Sequence, residues 1–407
     1  MSPCATSSSR FRRCGKLALC LAALACRGQQ FEHRGFVEAI FTGYPQEAAN
    51  DSGRAIGAWL LRYEPAYNAG RGLRFAASLD VRTDTHRQVE RSLRLSWLDR
   101  ERRRPAFAVR RLSAIYNRGR LRVEAGRQLI RWGKTDILNP TDRFAPRDYL
   151  NVVDWDFLGI AAARLTYGGQ PDTLDLVWAP LFTPSRVPLL NQRWAPAPAG
   201  VVLRDSGASH PGGSQFGARW NHVGRTVEYA LAFYEGFNNL PLFRSPALSR
   251  YYPQMRMYGG DAALPLRAVS IKAEAAYFTS SDPTADEYAL YVVQLERQTG
   301  EWFLVGGYAG QVVTGRRAFL DFAPDRGLAR AFVGRAGYTI DTNRSVAVET
   351  AVRQNGKGIW AKLEYTQAFG QHWRATAGLA LMRGSESDFL GRYRRNSHGI
   401  LAVRYSF

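Results

Sequence analysis

The chain has 407 residues, 12% of them aromatic, with 38 Gly, 4 Met, 55 Lys and Arg against 35 Asp and Glu, and a mean hydropathy of −0.30. That average excludes a bundle of membrane helices, and the aromatic content excludes a disordered chain; a large barrel whose strands alternate apolar and polar residues averages to such values. The length would also hold two or three ordinary domains, so the pattern along the chain has to decide.

At the N-terminus, Arg10, Arg12, Arg13 and Lys16 precede an apolar run, 17–25, that closes on Ala23-Leu24-Ala25. This is the order of a signal peptide, so residues 1–25 are expected to be removed and 26–407 to form the mature domain. The run is far shorter than the roughly 20 apolar residues a membrane-crossing helix needs. Cys26 raises lipidation as an alternative, although Leu24 stands where a small residue is expected. Cys4, Cys14 and Cys20 leave with the leader, so the mature chain has no disulfide framework. Removing the leader takes four basic residues and no acidic ones, which leaves a net charge of +16. Arginine is nearly the sole cation, which suits bidentate contacts to carboxylate and phosphate; genomic codon bias combined with anionic lipid is the competing explanation. Nucleic-acid binding does not fit, because the basic residues alternate with apolar ones along strands.

Strands are predicted at 36–44, 55–63, 73–81, 93–98 and 107–116. In 73–82, Leu73, Phe75, Ala77, Leu79 and Val81 share one face and Arg74, Ser78, Asp80 and Arg82 the other, which is the period of a strand. The same period in 120–125 puts Arg120, Arg122 and Glu124 inward if Leu121 and Val123 face lipid. In 269–277 it does the same for Lys272 and Glu274.

From Gly126 to Tyr149 the alternation stops. Charges of both signs crowd together around Trp132, and Asn139-Pro140 and Ala145-Pro146 fix turns, so the segment is expected to be ordered. One reading folds it into the barrel mouth as a constriction, with Arg127, Arg131, Lys134, Arg143 and Arg147 facing Asp136, Asp142 and Asp148 across the lumen. The other uses the same ion pairs to hold the loop against the wall as a brace or plug.

Counted back from Phe407, connections alternate between short and long over nearly two-thirds of the chain, with 355–357 the one lapse. A soluble sandwich has no reason to sort its loops this way, whereas an outer-membrane barrel has short periplasmic turns and longer loops outside. The count reaches about 19 strands. Single-chain bacterial barrels have an even number, so an all-β antiparallel transmembrane barrel of 16 or 18 is expected. Trp97, Tyr167, Trp302, Trp360 and Trp373 near strand ends read as interfacial girdles.

The stretch Gly126-Arg127-Gln128 to Trp132-Gly133, then Asn139-Pro140 and Asp142, then 174–182 and Arg186-Val187-Pro188, resembles a family of large, mostly uncharacterised, porin-like outer-membrane barrels bearing a domain of unknown function. Lys134 departs from that pattern, where an acidic residue is expected after Trp-Gly. The resemblance implies a porin, or an uptake protein for hydrophobic compounds. The last strand, with Leu401, Val403, Tyr405 and Phe407 at alternate positions, resembles the signal that barrel-assembly machinery reads.

No pair of the six histidines has metal-ligand spacing, none sits in a serine elbow, and no phosphate-binding glycine loop occurs, so neither catalysis, a cofactor nor a metal is expected. Ser397-His398 are neighbours on a strand and point to opposite faces. The expected function is a solute channel preferring anions. The alternatives are a route for hydrophobic molecules and a plugged structural or hydrolytic barrel. Expected partners are outer-membrane lipid and lipopolysaccharide, small solutes and the assembly machinery, with homotrimeric association left open.

Overall fold

The computed structural model describes residues 30–136, 138–195, 206–244, 249–317 and 322–407; the expected leader, 1–25, and Cys26 lie outside them. Among the described residues the chain closes into an antiparallel barrel of 18 strands. They are β1 Phe31–Gly43, β2 Ala55–Gly70, β3 Leu73–Asp84, β4 Phe107–Arg118, β5 Leu121–Gln128, β6 Ile160–Gly168, β7 Asp172–Ala179, β8 Gln215–Val223 and β9 Glu228–Phe237. The second half comprises β10 Gln254–Pro265, β11 Ser270–Thr279, β12 Glu287–Thr299, β13 Trp302–Gly315, β14 Ala331–Asp341, β15 Arg344–Arg353, β16 Gly358–Phe369, β17 Trp373–Gly384 and β18 His398–Ser406. Each strand pairs with its sequence neighbours, and β18 closes on β1 with Phe36 opposite Ser406. Closure leaves no open edge and satisfies the wall's backbone internally, the condition for crossing a bilayer with strands.

The even count removes one predicted element. Residues 93–98 belong to the connection between β3 and β4, and only Leu95–Ser96 pair, parallel to Phe107 and Ala108. Their alternation is strand-like, but they lie beside the end of β4 that extends past Leu112, where β5 has already stopped. In the other direction, β2 runs on to Gly70, past the predicted end at 63. Pro65 has no amide to donate, and the β2–β3 ladder is accordingly interrupted between Tyr63 and Ala66, while Pro65 keeps its place opposite His33 of β1.

Short connections at 71–72, 119–120, 169–171, 224–227, 266–269, 300–301, 342–343 and 370–372 gather at one end, and the long ones at the other. Residues 354–357 are the short member of the long set, as the sequence indicates. The outward positions are apolar and exposed: Trp59, Leu61, Phe75, Val81, Leu112, Leu174, Leu176, Leu231, Val293, Leu295, Leu363, Leu379, Leu401 and Val403 are examples. An apolar surface of this extent belongs against hydrocarbon rather than water.

The packed core is inside the barrel. Ile130, Trp132 and Phe144 from the connection 129–159 pack on Val177 of β7, Tyr234 of β9, Met257 of β10, Phe278 of β11 and Leu290 of β12. A second cluster joins Tyr149, Val152, Trp194, Leu240, Met382 and Tyr393. Loops therefore cover the inner face of β6 to β12. On β14 to β16 inward charged residues such as Arg335, Glu349, Lys362 and Glu364 stay partly open.

Candidate functional site

The inserted loop begins at a glycine that the geometry requires. Gly126 has φ +121, and a Cβ on it would lie 2.3 Å from the Leu112 carbonyl oxygen. Beyond it both Arg127 and Gln128 are buried, so strand parity ends there. Gly133, at φ +93, lies with its Cβ direction 2.6 Å from a carboxylate oxygen of Glu274.

Glu274, on β11, is the anchor. It accepts hydrogen bonds from the Lys134 amide at 3.1 Å, the Thr135 hydroxyl at 2.9 Å, and the Thr141 amide and hydroxyl at 2.8 Å each. Gln294 of β12 accepts from the Asp136 amide at 3.0 Å and donates to the Asp136 carboxylate at 2.8 Å. Within the loop, Asp142 accepts from the Trp132 amide at 3.0 Å, while the Trp132 indole donates to Asp175 of β7 at 3.0 Å. The loop is ordered by wall groups reaching up to its backbone.

Its charges pair sideways rather than across an opening. Asp148 binds Arg104 at 2.8 Å and Arg186 at 2.6 Å; Arg186 also binds Asp99, which takes Arg127 at 3.3 Å. Arg127 further donates to the Trp97 carbonyl. Burial alone would raise the Asp148 pKa, but the Arg104 and Arg186 guanidinium groups outweigh it and hold this carboxyl well below the usual range. Arg143 binds Asp325 at 3.4 Å and sits over the Phe278 ring; Arg147 lies over Trp155 and 4.0 Å from Asp142. The expected ring across the lumen is thus corrected: Arg127, Arg143, Arg147, Asp148 and Trp132 are buried in a layer that ties four loops together. Water-poor surroundings make such pairs mutually dependent.

Two of the expected residues on this loop stay exposed. Arg131 lies over the Phe157 ring, 4.2 Å away, and 3.5 Å from Asp142; Asp136 is exposed beside Lys272 at 3.5 Å. Lys134 binds Glu228 at 3.0 Å, and Lys272 binds Glu296 at 2.6 Å. Arg122 and Glu124 face inward as parity requires and pair at 3.2 Å. Arg120 does not, because it lies in the exposed turn between β4 and β5. Trp360 is also corrected: it turns inward onto Met382 and Phe389, leaving Tyr167, Trp302 and Trp373 exposed on the outer face at the short-turn end.

A track of arginines on the opposite wall was not assigned to the site from sequence. Arg62 of β2 binds Asp80 of β3 at 2.7 Å, Arg82 binds the same carboxylate, and Arg404 of β18 binds Glu38 of β1 at 2.8 Å. Between β3 and β4, Ser78 pairs with Arg111 and Leu79 with Val109, so Arg110 is a bulge and both arginines reach inward, to Asp156 and to Glu124 at 2.8 Å. The alternation of Asp80 and Arg82 was legible, whereas the bulge was not.

In most of these pairs the carboxylate is the deeper partner. The Arg131 side chain is 52% exposed and Asp142 0%; for Arg122 and Glu124 the values are 51% and 5%. The same order holds for Arg62 and Arg82 with Asp80, Arg111 with Glu124, and Arg164 with Asp175. Asp136 and Asp156 reverse it, as do Glu228 with Lys134, Glu364 with Lys362 and Asp99 with Arg127. Asp142 is also held as a weak acid, since burial pushes its pKa up to about 6 against the opposing pull of Arg147.

No protein-family model matches the chain, and no curated protein matches it in sequence. Its fold does match solved structures. OccAB4 of Acinetobacter baumannii superposes with a TM-score of 0.56 at 9% identity, covering 93% of this chain and 98% of that one. The outer membrane protein opdK of Pseudomonas aeruginosa gives 0.54 at 10%, covering 93% and 99%. A BenF-like porin of Pseudomonas fluorescens gives 0.53 at 9%, covering 93% and 97%. The architecture over nearly the whole described chain is that of a porin barrel.

Proposed function

We propose that the chain is a channel for the diffusion or selective uptake of small solutes across the bacterial outer membrane, with a lumen that favours anions. The observation that carries this reading is the depth order of the ion pairs, in which guanidinium groups face the passage and their carboxylates lie behind them. A low-dielectric wall with cations in front concentrates anionic solutes near it. The loop leans on β6 to β12 and reaches Arg62 and Arg110 through Asp156, while the side chains of Arg111, Arg122, Arg131 and Arg404 stay a third or more exposed, which supports a narrowed passage over a plugged barrel. So charged a wall weighs against a route for hydrophobic compounds, and no catalytic role is assigned.

The same reading takes residues 1–25 as a removable leader, the 126–142 motif as the mark of the porin-like family it resembles, and the outward row Leu401, Val403, Tyr405 and Phe407 as the strand presented to the assembly machinery. Reversal potentials of the purified protein in planar bilayers under a salt gradient test it. An anion-selective potential is expected; cation selectivity would defeat the preference, and absence of conductance would defeat the channel.

A further inference from the structure

The connection 85–106 exposes an apolar ridge that no part of the pore requires. Leu93, Leu95 and Trp97 alternate on one face and are exposed, Leu93 at 86%. The opposite face is fixed: Ser96 is buried, donates to Glu101 at 2.6 Å and accepts from the Asp99 amide at 3.0 Å. Leu95 stands opposite Phe107, which stands opposite Val81 of β3. The outward row of the wall therefore continues through Val81, Phe107 and Leu95 beyond the last residue of β5, at the long-loop end.

Cations accompany the ridge. Arg91, Arg94 and Arg103 are exposed, and among the described residues none of the three has an ion-pair partner. The nearby carboxylates are mostly withdrawn. Asp99 is taken by Arg127 and Arg186, Glu101 by Ser96, and Asp84 by the Gln88 and Val89 amides, which among the described residues of this connection leaves Glu90 uncommitted. Planar guanidinium groups above an apolar strip match a phosphate-bearing headgroup above acyl chains.

We propose that this ridge is a docking site for the phosphorylated, acylated glycolipid of the outer leaflet, lipopolysaccharide. Leu93, Leu95 and Trp97 contact its acyl chains, and Arg91, Arg94 and Arg103 bind the phosphates of its acylated sugars. The charge complementarity and the continuity with the lipid-facing wall select this occupant. The proposal rests on the reading that the long loops face the cell exterior.

Native mass spectrometry and equilibrium binding of the full chain in detergent test it, with lipopolysaccharide, its enzymatically dephosphorylated form, phosphatidylglycerol and inorganic phosphate as probes. Retained lipopolysaccharide is expected. Dephosphorylation, or the triple variant Arg91→Gln, Arg94→Gln, Arg103→Gln, should weaken it at least tenfold, and Leu93→Ser with Trp97→Ser should weaken it with the arginines intact. Inorganic phosphate should not compete. Equal binding by the triple variant, or tighter binding of phosphatidylglycerol through the same residues, would overturn the site. Since none of these side chains lines the passage, single-channel conductance of each variant checks folding. Failure of the channel reading would appear as lost conductance in the unsubstituted protein, which lipid binding does not report.

Discussion

Glu274 on the barrel wall accepts both the amide and the hydroxyl of Thr141, each at 2.8 Å, across a sequence separation of 133 residues. A single strand carboxylate thus gathers several donors of the loop, beside the anchors that Gln294, Asp175 and Glu228 provide. Its partners are buried donors, and unmade bonds to buried donors are costly.

Replacing Glu274 by Ala should release the loop from β11. Charge-assisted hydrogen bonds are lost and the Thr135 and Thr141 donors are stranded, which should cost on the order of 3 kcal/mol. Urea unfolding from lipid vesicles should show that loss. Single-channel traces should show larger, noisier conductance, and unchanged traces would refute the anchoring role.

Arg127 and Arg131 should separate cleanly. Arg131→Ala removes an exposed cation from the passage and should move the reversal potential toward zero with little effect on stability. Arg127→Ala should leave the reversal potential unchanged while destabilising the fold by roughly 3 kcal/mol, because Asp99 loses a buried partner. Equal shifts in selectivity from both variants would contradict the buried placement of Arg127.

Anion preference should strengthen as pH falls. Burial raises the Asp142 pKa to about 6, above its value in the unfolded chain, so between about 4 and 6 the folded protein binds the extra proton. This contribution to stability is present below about pH 4 and is lost as pH rises through 6. Over the same range a neutral Asp142 leaves Arg131 uncompensated. Reversal potentials at pH 7 and pH 5 should therefore differ, and Asp142→Asn should behave at pH 7 as the unsubstituted protein does at pH 5. A pH-independent selectivity would remove Asp142 from the passage electrostatics.

The seam between β1 and β18 predicts a folding defect. Gly35 and Phe407 exchange backbone hydrogen bonds at 2.9 and 3.0 Å, and a Cβ on Gly35 would fall 2.5 Å from the Arg62 carbonyl oxygen and 2.7 Å from the Phe407 ring. Gly35→Val should lower the yield of heat-modifiable barrel, measured by gel mobility before and after boiling. Phe407→Ala combined with it should restore little, since the Arg62 oxygen still obstructs.

Much of the barrel was legible because a strand's period of two and the sorting of loops by length are both local signals. The surplus strand arose because Leu93, Leu95 and Trp97 alternate as a wall strand does, while pairing is decided by where β5 ends. Parity gave Glu124, Lys272 and Glu274 correctly, and it failed beyond Gly126, where a positive φ turns the chain. The inserted loop was legible as ordered, but its partners were not. Asp148 meets Arg104 and Arg186 from two other loops, and no spacing in the sequence reports a contact made by loops folding together inside a closed wall. The arginine track escaped for a related reason, as a single bulge at Arg110 redirects two side chains.

The one-sided placement of the inserted loop has a mechanical consequence. A barrel pulled from its C-terminal end comes apart hairpin by hairpin, and the hairpins of β14 to β18 meet the inner loops mainly at their long-loop ends. The block from β9 to β12 is strapped to residues 130–144 by Glu274, Gln294 and the apolar cluster around Tyr234 and Phe278. Under force-clamp extraction from a bilayer, the late hairpins should leave in small, regular steps, followed by one large rupture as that block yields together. Glu274→Ala should divide the large rupture into hairpin-sized steps.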